Sequence, residues 1–216
     1  MPYRLHKDWE DVTVATKGGE FDYPRAQAGG LNAPFMSIYI PASYERSGGG
    51  YQLANHLIDG MEALVGRAPD KFAMAYSTDD VLAQFGSGKV SLALGMENGT
   101  PIAGKLENLQ HFYQRGIRYI TLSHSESNHI ADSSYDLRRR WNGLSPFGKE
   151  LVVAIPAPAV IKRDEEEVRA IERLQHRRGQ DFAHPALQRQ AAIGGTAVRR
   201  AARTLGPELE QPPAEQ

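Results

Sequence analysis

The 216-residue chain is long enough for one sizeable domain or two small ones, and its apolar (41%) and charged (24%) fractions are ordinary for a globular protein. A formal net charge of −1 excludes the broad electrostatic attraction that draws proteins to nucleic acid or anionic membranes. The absence of cysteine excludes disulfides and thiolate metal sites.

The sequence contains no targeting or membrane-spanning signal that we can identify. No apolar run approaches the roughly 20 residues of a transmembrane helix, so we expect no transmembrane segment. The first residues, MPYRLHKDWEDV, contain no apolar signal segment, and a cytoplasmic location is therefore expected for the chain as written.

The first half of the chain predicts an irregular start, a strand and a helix. The first forty residues are mostly loop, with ATKGGEFDYPRAQAGG punctuated by Gly and Pro. PFMSIYIPA is typical of a short strand that Pro41 ends. A helix is predicted near residues 50–65, because five apolar side chains recur at helical spacing: Leu53, Leu57, Ile58, Met61 and Leu64.

The next segments alternate between helix and strand. Ser77 has the sequence context of a helix N-cap, with acidic residues in the first turn, and that helix ends at the glycines near residue 86. KVSLALGME predicts a strand, ENLQHFYQRG a helix ended by Gly116, and IRYITL another strand. SPFGKELV begins a helix, with Ser145 as cap and Pro146 at its first position.

This alternation favours a parallel α/β sheet or barrel, and the two apolar strands predict cover on both faces of the sheet. Function in such folds collects at the carboxyl ends of the strands, where this sequence places Glu97 and His124. A carboxylate and an imidazole at neighbouring strand ends suit a metal-assisted hydrolase. Taken alone, the pattern also fits an alternative in which Glu97 caps a loop and His124 hydrogen-bonds a turn.

The chain changes character near residue 153, which divides it into 1–152 and a tail, 153–216. The tail is rich in Ala, Arg, Glu, Gln and Pro, and it offers few large apolar groups to offset the entropy of ordering it. Because of this apolar depletion and the helix-breaking Pro156 and Pro158, we expect residues after about 153 to add no strand to the sheet and to pack poorly. The composition is typical of a shifted reading frame, and a genuine fusion remains an alternative. A separate helix is predicted for Asp164 to Arg178.

An arginine run, a glycine-rich segment and three further histidines are also candidates for binding sites. The Arg138-Arg139-Arg140 run favours a solvated loop over a nucleic-acid patch, because the overall charge is near neutral. SGGGYQ lacks the strand and the Lys that a phosphate-binding loop requires. His56 and His111 lie in helical segments and are interpreted as structural, whereas His129 lies in the polar loop and is left open as a residue lining the site.

The chain resembles the membrane (renal-type) dipeptidase family, peptidase family M19, in three segments and in their order: GMENG, FYQRGIRYITLSHSESNHIADSSYD and GLSPFGKELV. The upstream words PYRLHKDWED and AGGLNAPFMSIYIPA are similar to its bacterial members, and the resemblance runs from about Pro2 to Val152. It implies a zinc-dependent (β/α)8 TIM barrel that cleaves dipeptides.

The resemblance also implies roles for the two strand-end residues. Glu97 matches the family's glutamate that bridges two zinc ions, and His124 matches the histidine that binds substrate. Zinc-bound hydroxide would be the nucleophile, since two zinc ions lower the pKa of water. No residue of this chain is assigned a further catalytic role, and the expected partners are dipeptide substrates, with a homodimer left open.

The chain departs from the family pattern at both sides of the matched region. In the family, a His-x-Asp pair of metal ligands stands immediately before the PYRL segment, whereas here Met1 stands at that place. His6 and Asp8 also form a His-x-Asp motif, but they follow PYRL and are interpreted as loop residues. His176 and His184 lack the apolar strand that precedes the family's later ligand histidines. We therefore expect an incomplete barrel with a non-family tail, and an inactive, truncated zinc dipeptidase. The alternative is a non-catalytic α/β fragment that acts only through binding or assembly.

Overall fold

A computed structural model describes residues 1–155 and 160–162, all of which belong to one compact unit. Five strands alternate with helices: α1 (Pro2–Lys7), α2 (Tyr23–Ala28), β1 (Phe35–Tyr39), α3 (Tyr44–Ser47), α4 (Gly50–Arg67), β2 (Phe72–Met74), α5 (Thr78–Gln84), β3 (Val90–Glu97), a 3-10 turn (Thr100–Ile102), α6 (Leu106–Gln114), β4 (Ile117–Thr121), α7 (Pro146–Ala154) and β5 (Val160–Lys162). Within these residues no helix is both long and apolar enough to cross a membrane.

All the strand pairs are parallel, as the sequence predicted. Strands β1, β3, β4 and β5 lie side by side in that order, and β2 pairs with the first half of β3. Parallel neighbours need crossover connections, which the helices between them supply. The carboxyl ends of β1, β3 and β4 consequently meet at one edge of the sheet.

Helices α4, α5 and α7 form where their local sequence predicts them. All five apolar side chains that predicted α4 are buried, and they pack this 18-residue helix against the sheet. The side chain of Ser77 accepts a hydrogen bond from the backbone N–H of Asp80 at the start of α5. Ser145 accepts from Gly148 at the start of α7, where Pro146 occupies the first position.

The sheet is covered more completely on one face than on the other. Alternate strand residues such as Ile38, Met96 and Ile120 are buried beneath the helices. Burial of each such side chain contributes about 1.5–3 kcal/mol. On the opposite face Phe35 is 54% exposed, and Glu97 and Thr121 are half-buried. The prediction of cover on both faces was made for β3 and β4. It is confirmed for β3, which has no exposed residue, and only in part for β4, where Tyr119 and Thr121 are half-buried.

The prediction of an irregular first forty residues is also wrong in part. Helix α1 begins with Pro2 and buries Leu5, and helix α2 is capped by Asp22, whose carboxylate accepts the backbone N–H of Arg25. Both helices have six residues, too few for a helical period to appear in the sequence. Strand β2, Phe72–Met74, was not predicted because its three residues are too few to show an alternating pattern.

The expectation that the chain adds no strand after residue 153 is contradicted. Helix α7 continues to Ala154, and Val160–Lys162 form β5, which pairs in parallel with β4. Val160 and Ile161 are β-branched and suit a strand, whereas the prediction rested on the composition of the tail as a whole. The predicted helix from Asp164 to Arg178, with His176 and His184, lies outside the described residues.

Gly95, in the middle of β3, has no room for a side chain. A Cβ atom there would lie 2.1 Å from Cε1 and Cζ of Tyr119, whose ring crosses over the glycine from the neighbouring strand. Gly95 therefore lets the Tyr119 ring lie flat on the more exposed face of the sheet.

We expect Gly95→Ala to destabilise the protein by about 1–3 kcal/mol, because the new methyl group must displace the Tyr119 ring. The control is Gly60→Ala on the exposed side of α4, where a Cβ meets nothing within 4 Å. That substitution should stabilise the protein by about 0.5–1 kcal/mol by restricting the unfolded chain. Urea denaturation of the two variants measures both effects, and equal stability of the two would contradict the packing argument.

Asp22 gives a second test, in which pH is the variable. Backbone hydrogen bonds from Thr16 and Arg25, with the Arg25 guanidinium, lower the pKa of Asp22 from 3.8 to about 2. A carboxyl group with a lowered pKa stabilises the folded state above pH 3.8, and that stabilisation is lost as the pH falls towards about 2. Asp22→Asn should lower Tm at neutral pH, and its difference from the original chain should shrink over this acid range. A difference in Tm that does not depend on pH would contradict the assignment.

Candidate active site

The register of the sheet places three half-buried side chains in one row at its carboxyl edge. Tyr39 at the end of β1 pairs with Glu97 at the end of β3, and Glu97 pairs with Thr121 at the end of β4. Residues of one row point to the same face of a parallel sheet. The row therefore forms the floor of a site on the more exposed face.

The structure brings together Glu97 and His124, the two residues singled out in the sequence. Nε2 of His124 lies 3.2 Å from Oε1 of Glu97, and both side chains are 35% exposed. The other carboxylate oxygen of Glu97 accepts a hydrogen bond from the hydroxyl of Ser37 on β1. The contact between imidazole and carboxylate is attractive only when Nε2 of His124 carries a proton.

Aromatic rings surround this pair on the side of β1. The Tyr39 ring meets the His124 ring edge to face, with centroids 5.2 Å apart, and Tyr3 from α1 meets Tyr39 at 5.4 Å. Burial, and then the negative charge of Glu97, raise the pKa values of Tyr39 and Tyr119 above the usual value for a phenol. Both phenols are therefore neutral donors at neutral pH. Nδ1 of His124 is buried and has no hydrogen-bond partner in the described part of the chain.

The polar loop that follows β4 is held by Asp132, which is buried. Its carboxylate accepts backbone N–H groups from Arg140, Trp141 and Gly143 at 2.8–3.2 Å. Burial alone would raise the pKa of Asp132, but these backbone donors hold it below its usual value. The loop returns to β4 through the hydroxyl of Ser133, which donates to the backbone oxygen of His124.

His129 is not part of the contact between Glu97 and His124, and instead joins the polar loop to α3 and to the segment after the 3-10 turn. Its Nδ1 lies 3.1 Å from both carboxylate oxygens of Glu45, and its Nε2 accepts the backbone N–H of Gly104. Glu45 also accepts from the hydroxyl of Thr100. His129 therefore borders an open cleft between α4 and the 3-10 turn, and all its polar atoms are occupied by protein groups.

The remaining candidates lie apart from this pair or make structural contacts. His6 is exposed on α1, with its ring 4.9 Å from that of His56 on α4, and Asp8 ends α1. His111 contacts the side chain of Asn55. Arg138 to Arg140 lie on the exposed part of the polar loop. In residues 1–155 and 160–162, no three His, Cys, Asp or Glu side chains lie together as a metal site would require.

Four polar residues around the site were missed from the sequence. Ser37 and Tyr39 alternate along β1 and so share its exposed face, and this alternation is a sequence signal for polar residues beside the site. Asn98 and Asn128 are buried between the strand ends. An asparagine next to a strand end is so common in turns that its letter alone does not distinguish a buried site from a loop.

Active sites of parallel α/β folds lie at the carboxyl ends of the strands, which is where Glu97 and His124 meet in this sheet. Residues 1–156 match the family model described as membrane dipeptidase, peptidase family M19. The chain belongs to this family.

Individual relatives agree with that assignment over part of their length. Dipeptidase aclJ of Aspergillus oryzae is 31% identical over 141 residues, which are 62% of this chain and 33% of that protein. The crystal structure of the dipeptidase AC, an M19 metallo peptidase, matches with a TM-score of 0.67 and 20% identity, over 80% of this chain and 57% of the other.

A metallo peptidase from Rhodobacter sphaeroides, liganded with a phosphinate mimic of the dipeptide L-Ala-D-Ala, matches with a TM-score of 0.66 and 18% identity. The match covers 80% of this chain and 59% of the Rhodobacter sphaeroides chain. The chain thus spans about a third of the curated relative's length and under two thirds of each structure. At these identities the two structures show the fold alone.

The bonding of Asp132 predicts the result of removing its charge. Asp132→Asn replaces one acceptor oxygen by a donor group that faces backbone N–H groups, so we expect a loss of about 1–3 kcal/mol of stability. Amide hydrogen exchange in residues 138–143 should accelerate. The control, Asp70→Asn on an exposed turn, should change stability by less than about 0.5 kcal/mol. Unchanged exchange in the loop would show that the carboxylate does not hold it.

Proposed function

We propose that the chain carries part of the active site of a zinc-dependent dipeptidase, in which Glu97 is a metal ligand and His124 contacts the substrate. The observation that carries this proposal is the 3.2 Å contact between Glu97 and His124 at the carboxyl ends of adjacent parallel strands. It occurs within residues 1–156, which match the dipeptidase family.

The geometry supports different roles for the two side chains. Glu97 presents its carboxylate from the last position of a rigid strand, as a metal ligand must be presented. His124 is three residues beyond the end of β4, and its half-exposed ring can meet a ligand above the sheet. A proton on Nε2 of His124 is positioned either for Glu97 or for the carbonyl oxygen of a bound dipeptide. Tyr39 limits the tilt of that ring through their edge-to-face contact.

The described residues by themselves do not fit a centre of two zinc ions. A zinc ion in proteins takes three or four protein ligands, whereas here one carboxylate is available and its two oxygens already contact Ser37 and His124. No step of hydrolysis is therefore assigned to zinc in this chain. We propose that residues 1–155, with the strand Val160–Lys162, form a portion of a (β/α)8 barrel, and that the 216-residue chain alone does not hydrolyse dipeptides.

A second candidate function is a non-catalytic α/β protein that acts through binding or assembly. The observation in its favour is that Ser37 and His124 occupy both oxygens of Glu97, so the carboxylate is satisfied without a metal. Metal content distinguishes the two candidates. A competent enzyme of this family should carry about two zinc ions per chain, and a purely structural chain should carry none.

The activity prediction concerns the purified chain of 216 residues. In zinc-supplemented assays with several dipeptides, we expect hydrolysis no faster than that of Glu97→Ala, because a zinc-held hydroxide needs more ligands than Glu97 provides. Zinc bound to the same sample should be measured by elemental analysis. The matched control is Glu107→Ala, which removes an exposed carboxylate from α6.

Zinc-dependent turnover that is lost in Glu97→Ala but retained in Glu107→Ala would overturn the claim of inactivity. It would also strengthen the assignment of Glu97 as a ligand, since the remaining ligands would then have to come from other residues of the chain or from a second copy. Zinc binding that is insensitive to both substitutions would contradict the role proposed for Glu97.

A further inference from the structure

The region just beyond the strand ends contains two buried asparagines whose side chains contact each other. Asn98 follows Glu97 directly and is 1% exposed, and Asn128 lies in the polar loop and is 2% exposed. Nδ2 of Asn128 donates to Oδ1 of Asn98 at 3.1 Å. These two residues, here called the amide pair, bridge the loops that leave β3 and β4.

The amide pair also binds backbone oxygens just beyond the ends of β1 and β4. Nδ2 of Asn98 donates to the backbone oxygen of Ile40, immediately after β1, at 2.9 Å. Nδ2 of Asn128 donates to the backbone oxygen of Leu122, immediately after β4, at 2.7 Å. Both oxygens lie beyond the last ladder residues, Tyr39 and Thr121. A buried backbone carbonyl requires a donor, and an amide side chain supplies one while keeping an acceptor oxygen.

The backbone at Asn98 adopts a conformation that the pairing requires. Its φ of +80° lies in the left-handed region, which residues other than glycine seldom occupy and which asparagine tolerates best. Such outliers cluster at functional sites. The conformation turns the chain sharply after Glu97 and directs the Asn98 amide back between β1 and β4.

The amide pair lies close to the two candidate site residues along the chain. Glu97 is one residue before Asn98, and His124 is two residues after Leu122. The β3–β4 ladder ends at Glu97 and Thr121, and beyond it the backbone N–H of Gly99 still donates to the oxygen of Leu122 at 3.2 Å. The amide pair adds to this backbone bond the side-chain hydrogen bonds from Asn128 to Asn98 and to Leu122.

We propose that Asn98 and Asn128 are positioning residues that hold the imidazole of His124 against Glu97. The inference rests on the proposed function only in giving those two side chains their roles as substrate contact and ligand. The positioning is a property of the chain without metal or substrate. It can therefore be measured when no activity is present.

The first test is Asn128→Asp in the full chain. The introduced carboxyl group keeps an acceptor for the backbone N–H groups of Ile130 and Ala131, which Oδ1 of Asn128 accepts at 2.8 and 3.0 Å. It removes the donor that faces Leu122 and Asn98 and places a negative oxygen there. The variant thus breaks the links between strands and leaves the turn inside the loop intact.

The measurement is nuclear magnetic resonance of the His124 ring, assigned by comparison with His124→Gln. In the original chain a nuclear Overhauser cross-peak should join the His124 and Tyr39 rings, whose centroids are 5.2 Å apart. In Asn128→Asp we expect this cross-peak to be lost and the ring resonances of His124 to shift. Circular dichroism and the resonances of buried Phe112 show that the molecules remain folded.

The matched control is Asn55→Asp, which makes the same chemical change on α4. It removes an amide donor to the backbone oxygen of Tyr51, and Asn55 contacts His111 rather than His124. We expect it to lower Tm and to shift the resonances of His111. It should leave those of His124 and the cross-peak to Tyr39 unchanged.

The second variant is Asn98→Gly, which removes the other half of the amide pair. Glycine accepts the left-handed φ without strain, so the relief of strain offsets part of the stability that the lost hydrogen bonds supplied. The His124–Tyr39 cross-peak should again be lost. This variant decides the question where Asn128→Asp does not fold.

Three outcomes would overturn the proposal. The first is that folded variants of both asparagines keep the cross-peak and the His124 resonances. The second is that Asn55→Asp abolishes the cross-peak as well. The third is that both Asn128→Asp and Asn98→Gly unfold, because residues needed for folding cannot be assigned a specific role in the site. None of these outcomes bears on zinc binding or hydrolysis, so a failure of the proposed function stays distinguishable.

Discussion

The parallel register of β1, β3 and β4 is the constraint on which the rest of the structure depends. It sets Tyr39, Glu97 and Thr121 side by side, and it leaves three chain segments departing from one edge of the sheet. Each segment carries backbone groups that the ladder no longer pairs. The polar residues around the site therefore have two roles: they form hydrogen bonds with these backbone groups, and they shape the site.

The polar loop after β4 shows how the first need is met. The carboxylate of Asp132 accepts hydrogen bonds from the backbone N–H groups of Arg140 and Gly143. Asn128 accepts one from the backbone N–H of Ile130 and donates one to the backbone oxygen of Leu122. Because Asp132, Asn128 and Ser133 all bond to backbone groups, the loop has a defined shape. His124 lies at the start of this loop, and its backbone oxygen is held by the hydroxyl of Ser133.

The sequence predicted what local patterns determine. The five buried residues of α4, the caps at Ser77 and Ser145, and the placement of Glu97 and His124 after strands all follow from short-range rules. The helices of six residues, the three-residue strands β2 and β5, and the uneven cover of the sheet could not be predicted in that way. Short elements are stabilised by tertiary contacts, and cover depends on which element reaches a face. The hydrogen bond between Asn98 and Asn128 joins residues thirty positions apart, so no local sequence pattern predicts it.

The state of Glu97 links the fold to the chemistry of the family. Its carboxylate is held by Ser37 from β1 and meets His124 from β4, so protein groups from three neighbouring strands set its direction. Under the proposed roles, a metal held by Glu97 would take the place of one of these contacts, and the Nε2 proton of His124 would then be available to a substrate carbonyl oxygen. The contacts of Glu97 thus give the carboxylate and the imidazole a fixed relative geometry, and fixed geometry of this kind is what stabilisation of a developing oxyanion uses.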